Sequence, residues 1–303
     1  MMVSKKKSLL PGLWLVGTAV CIACGADKVT SPPPAHTSQI EVRYASPLSV
    51  TQQALVTAAV NRWSRALSKN LGDFTIATPA NYCFPGEPPV NGKHHNLLLF
   101  ISVEKLDGPR GVLAFTEVCG MSGRDTLPVI SHISFDSADV DSLEVQGLLL
   151  SVITHELGHA LGFNPQSYVT RGLTAGGATD PVFSGATARA EFGKHGAWYT
   201  GTTVPLENNN GGRGPNDPHW RLNVFGDELM VSSLLTGYKS PLSTITLGFF
   251  EDLGYDVDFS EADPYEVIPL FGDNRQIPIP EGSLRNDFVV RKPPTFVTPL
   301  VAR

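Results

Sequence analysis

His155-Glu156-Leu157-Gly158-His159-Ala160-Leu161-Gly162-Phe163 places two histidines four residues apart. On a helix they lie about 40° apart around the axis, so both rings reach one ion. Zinc accepts imidazole nitrogens, and its catalytic sites take three protein ligands plus a water. Glu156 falls about 100° further round than His155, beside the ion rather than on it. From there a carboxylate takes a proton from a water at the ion, the chemistry of a zinc-dependent hydrolase. Gly162 lets the chain turn sharply away beneath the site. Upstream, Asp141 and Glu144 have the spacing of a capping box, so one helix is expected from near Asp141 through the motif. Val145, Leu148, Leu149, Val152 and Ile153 make it apolar over most of its circumference, as in a buried helix.

Before this helix the pattern is a strand, a helix and then more strands. Ile40–Tyr44 alternates as a first strand, and Ser49–Leu67 repeats apolar residues every four positions. Phe74–Ile76, Asn96–Val103, Gly111–Val118 and Val129–Phe135 read as further strands. The run Leu97–Ile101 is almost wholly apolar, as in a strand covered on both faces. This order predicts an α+β fold with a mixed sheet. His94-His95 reads as a solvated loop, and His132, on the polar phase of its strand, is given no role.

After Phe163 the chain is rich in Gly, Asn, Pro and Thr and has little periodicity. Ser243–Leu253 regains helical spacing, and Phe288–Val290 reads as a late strand. Two histidines do not complete a zinc site. The compact metalloprotease pattern puts its third histidine at the position that is Pro165 here. His195, His219, Glu191 and Glu207 are the later candidates, and spacing alone leaves the choice open.

The whole arrangement resembles the leishmanolysin-like metallopeptidases, a metzincin branch with a long insertion after the glycine. The motif at 155–163 matches its start, His219-Trp220 matches its third ligand, and Glu228-Leu229-Met230 matches its methionine turn. Leu242–Tyr255 looks like its C-terminal helix. The resemblance implies one zinc per chain on His155, His159 and His219, with Glu156 as general base and Met230 as an apolar floor. It implies a two-lobed zincin fold with protein or peptide substrates. Two long helices and the mixed sheet form the upper lobe; an irregular lower lobe carries the last helix. The strand over 111–118 is the expected edge for an added extended peptide. The parasite members' pro-region and cysteine-rich C-terminal portion are expected to have no counterpart, so their latency control is not carried over. The chain is expected to be a compact, bacterial-type member. Two competing readings are a zincin whose third ligand is a carboxylate, and a non-catalytic surface protein stabilised by zinc.

Composition sets the remaining bounds. The chain has 303 residues, 42% hydrophobic, enough for a sizeable core. Its formal charge of −6 gives no electrostatic reason to bind nucleic acid. Lys5–Lys7 followed by apolar Leu9–Ala23 reads as an export signal too short to span a membrane. Its end, Cys21-Ile22-Ala23-Cys24-Gly25, resembles a bacterial lipoprotein signal with Cys24 as the lipidated residue. Cys21 departs from the usual Leu, so plain secretion stays open. The expected layout is a signal over 1–24, a Pro-rich linker over 25–38, an N-terminal catalytic lobe over 39–163 and a C-terminal lobe over 164–303. With Cys24 lipidated, Cys83 and Cys119 are the even pair left in an oxidising compartment, and they are expected to bond. Membrane contact is expected only through the lipid anchor.

Overall fold

Leu97–Ile101 lies at the heart of the main sheet, with every side chain buried. In the computed structural model the described residues are 40–68, 72–195, 203–208, 217–234, 239–267, 284–288 and 295–297. The signal, the linker and Cys24 lie outside them. In chain order the elements are β1 (Ile40–Tyr44), α1 (Val50–Ala66), β2 (Asp73–Thr78), β3 (Val90–His95), β4 (Leu97–Glu104), β5 (Val112–Ser122) and β6 (Pro128–Asp136). There follow α2 (Val140–Val145), α3 (Leu149–Leu161), α4 (Pro165–Tyr168), β7 (Thr174–Ala175), β8 (Val182–Phe183), α5 (Ala186–Gly193) and β9 (Val204–Pro205). The last are α6 (Leu222–Phe225), β10 (Ser233–Leu234), α7 (Thr244–Asp252), β11 (Leu284–Phe288) and β12 (Thr295–Val297).

The main sheet runs β1-β4-β6-β5-β11-β10, with β12 also on β5. β1, β4 and β6 are parallel neighbours, and β5 is antiparallel to β6. The fold is therefore a mixed α+β arrangement, as the element order predicts. α1 and α3 cover one face. Trp63 on α1 donates its indole N–H to the Thr154 carbonyl on α3 at 2.9 Å. Ser49 caps α1 by accepting from Gln52 N–H, while the Gln52 side chain accepts from Ser49 N–H. That reciprocal pair fixes where the helix starts. On the opposite face Phe84 stacks on His132, with ring centroids 4.0 Å apart. The Cys83–Cys119 disulfide ties this covering loop to β5, its Cα atoms 5.4 Å apart.

Several local expectations are corrected. The motif helix is two helices, not one. Gly147, with φ +71°, ends α2, and the Leu148 N–H reaches back to the Leu143 carbonyl. That is a glycine stop of the Schellman kind, which the apolar periodicity concealed. Asp141 is not the cap; its carboxylate accepts from Gln52 Nε2 on α1. Val145 is 88% exposed, because the break turns it away from the core. His94-His95 is not a loop but the end of β3, paired along its length with β2. His94 is buried, with Nδ1 3.1 Å from Glu41 Oε2. His132 is fully buried, its Nε2 2.7 Å from the Ser102 hydroxyl. The β5 edge is not open either, since β11 and β12 pair with it.

Replacing Cys83 and Cys119 together by Ser should remove about 3–4 kcal/mol of stability, the chain-entropy value for a loop of this length. Urea denaturation of the variant beside the parent measures it.

Candidate metal centre

Gly162 decides the exit from α3. It takes φ +136°, a conformation that side chains disfavour, and its N–H bonds to the His159 carbonyl. The turn swings the Phe163 carbonyl back to His159 Nδ1, at 2.7 Å. His155, one turn earlier, has its Nδ1 2.6 Å from the Leu229 carbonyl. The third ring comes from the irregular half. His219 has its Nδ1 2.7 Å from Asp217 Oδ1. All three rings are buried, and their ligand atoms lie within 4.8 Å of one another.

Each Nδ1 faces an oxygen acceptor, so each ring carries its proton there and turns the Nε2 lone pair inward. The Nε2 atoms of His155 and His159 are 2.8 Å apart. His219 Nε2 is buried and has no hydrogen-bond partner. Three inward lone pairs with no proton between them suit a divalent cation, and neutral imidazole suits zinc. Burial, and then neighbouring His219, bring His155 down to about 3 against the opposing effect of the Leu229 carbonyl. Burial likewise holds His159 well below its usual value. Both rings are therefore neutral and ready to ligate at pH 7.

Glu156 is fully buried beside the trio. Its Oε2 accepts from the Thr116 hydroxyl on β5 at 2.6 Å. Met230 lies under α3, against Gly158. A Cβ at Gly158 would sit 2.6 Å from Met230 Sδ, so any larger residue there would have to push the Met230 side chain aside. Glu228 fixes the turn that carries Leu229 and Met230. Its carboxylate accepts from Met230 N–H and from the Ser243 and Thr246 hydroxyls. Thr246 Oγ1 in turn accepts from Trp220 Nε1 at 2.8 Å. Burial raises Glu228 to about 7, outweighing those hydrogen bonds.

The chain thus brings together His155, His159, His219, Glu156 and Met230. The other candidates lie apart. Glu191 pairs with Lys194. Glu207 accepts from the N–H groups of Leu222 and Asn208. His195 stands beside Tyr265. Among the described residues, the three histidines form the one group of three or more such side chains placed to share an ion. Sequence reasoning missed Asp217 and Thr116, and it assigned no separate role to Glu228 or Gly158. A carboxylate two residues before a ligand histidine, and an acid at the head of the apolar run Leu229-Met230-Val231, were signals for Asp217 and Glu228. Nothing local marks Thr116.

The family described as leishmanolysin matches residues 58–270, more than half of the chain. The chain belongs to the leishmanolysin family. Among its relatives, the leishmanolysin homolog of Crithidia fasciculata is 29% identical over 196 residues, covering 61% of this chain and 29% of the relative. The leishmanolysin of Leishmania major is 32% identical over 180 residues, covering 57% of this chain and 28% of the relative. The matched portion thus spans under a third of the length of these relatives. Membership in this metallopeptidase family agrees with the resemblance carried by the motifs at 155–163, 219–220 and 228–230.

Two outcomes are expected. Gly158→Ala should cost about 1–3 kcal/mol through overpacking. Adding Met230→Ala should recover part of that loss, measured as a double-mutant cycle in urea. The second concerns pH. Glu228 holds its proton in the folded state up to about 7, whereas its ordinary value is 4.5. Between these values the folded state binds the extra proton, so stability falls as pH rises. Glu228→Gln should remove that decline, of about 3 kcal/mol between pH 4.5 and 7.5, seen by denaturation at both pH values.

Proposed function

We propose that this chain is a zinc-dependent endopeptidase acting on extracytoplasmic proteins or peptides, with one ion held by His155, His159 and His219. The observation that carries the reading is the buried trio with its Nδ1 atoms bonded outward, beside the Glu156 carboxylate. When bound, zinc supplies Lewis acidity toward a scissile carbonyl and a water. Glu156 takes the proton from the attacking water and returns it to the leaving amine. The Thr116 hydroxyl holds one oxygen of that carboxylate and so fixes its orientation. Met230 and Trp220 exclude water from beneath the site, both being fully buried.

The lobe assignment follows this reading. Residues 39–163 form the upper lobe with α1 and α3, and the chain after 163 supplies His219, Met230 and α7 to the lower lobe while lending β10–β12 to the main sheet. Residues 1–24 act as an export signal, with Cys24 lipidated, and 25–38 as a tether. The protein then sits in the cell envelope, or is secreted if plain cleavage prevails. No helix among the described residues is long and apolar enough to cross a membrane. A non-catalytic structural zinc site would need a fourth protein ligand. Among the described residues the group holds three, which favours the peptidase reading.

Metal content and casein hydrolysis test this, on the chain from residue 25 beside Glu156→Ala and His219→Ala. The expected outcome is one zinc per chain in the parent, activity lost in both variants, and zinc lost only in His219→Ala. Zinc retained in all three with no hydrolysis by the parent would overturn it.

A further inference from the structure

We propose that β11 occupies the edge where a peptide substrate would add, so that the chain's own segment Leu284–Phe288 competes with substrate and holds the site in check. This rests on the peptidase reading. Three observations carry it. First, β5 is filled on both sides: β6 lies on one, and β11 with β12 on the other. Second, the register puts β11 over the chemistry. Phe288 is opposite Thr116, and the Thr116 hydroxyl donates to the Glu156 carboxylate at 2.6 Å. Third, β11 sits between strands from the two halves of the chain. It pairs parallel with β5, and antiparallel with β10, which follows Met230 closely in sequence.

An extended peptide bound to a sheet edge is held by main-chain hydrogen bonds, the same groups that β11 now uses. The two therefore exclude one another. The hold of β11 is slight in extent. Its pairing with β10 covers two residues, and its register with β5 shifts between Arg285 and Asp287. Parallel pairing is also the less stable kind per residue. Such a strand is displaceable. Tethering compensates, because a covalently linked segment competes at an effective concentration on the order of mM. Free substrate far below that concentration is turned over slowly, though measurably, until the segment is released.

The test uses the full chain with a recognition sequence for a site-specific protease inserted between Gly272 and Asp273. The folded protein is cut, and the released segment is removed by gel filtration. Hydrolysis of a quenched fluorescent peptide should rise at least about tenfold in kcat/KM on cutting, mainly through KM. A synthetic peptide of residues 283–298 should then inhibit the cut enzyme competitively. In the uncut chain, Asp287→Pro should raise activity part of the way by removing a strand N–H. Equal turnover before and after cutting overturns the proposal while leaving the peptidase reading intact. Loss of the thermal unfolding transition on release overturns it too, since β11 is then part of the frame. Binding is read apart from turnover with a labelled 283–298 peptide. If neither form hydrolyses peptides, yet the cut chain binds this label and casein fragments displace it, the peptidase reading fails and the occupancy of the edge stands.

Discussion

Burying three imidazoles side by side requires a fixed oxygen for each Nδ1 proton, and much of this structure serves that requirement. An unbonded N–H in such a place would cost several kcal/mol. The acceptors come from three sources. Phe163 offers its carbonyl because Gly162 reverses the chain. Asp217 offers a side chain two residues before the ring that it orients. Leu229 offers its carbonyl from a turn that must stay at one height under α3. Glu228 holds that turn, and Thr246 and Trp220 connect it to α7 and to the residue after His219. The last helix is thus coupled to the ring geometry without touching a ring.

Much of this was legible in the sequence where one residue type has one physical use. The 155–163 motif, the helical spacing over Ser49–Leu67 and Ser243–Leu253 and the apolar run at Leu97 each declare a local structure, and the observed elements agree within a residue or two. The failures have a common cause. Gly147 breaks the motif helix through backbone conformation, which apolar spacing does not register. β3 contains Asn91, Gly92 and two histidines and resembles a loop by composition; pairing with β2 makes it a strand. The third ligand was ambiguous because chain spacing does not encode distance in space. The family resemblance pointed to His219 where the residues alone did not, and Thr116 became visible only when β5 was seen beside α3.

β5 carries an unusual share of the consequences. Cys119 anchors the loop over one sheet face, Thr116 steadies Glu156 on the other, and the strand's outer edge receives β11. Residues along a strand alternate between faces, so one extended segment reaches the disulfide, the carboxylate and an edge partner at once.

The bond between His155 and Leu229 joins residues separated by 74 positions, and His219 lies between them in sequence. A ribosome therefore delivers α3 long before the carbonyl and the third imidazole that complete it. During synthesis the first half carries two histidines and a glutamate without their partners, and no ion can be held in the final geometry. The order of the residues along the chain therefore sets an order of assembly: the two-histidine helix comes first, and the oxygen that orients His155 arrives only with Leu229.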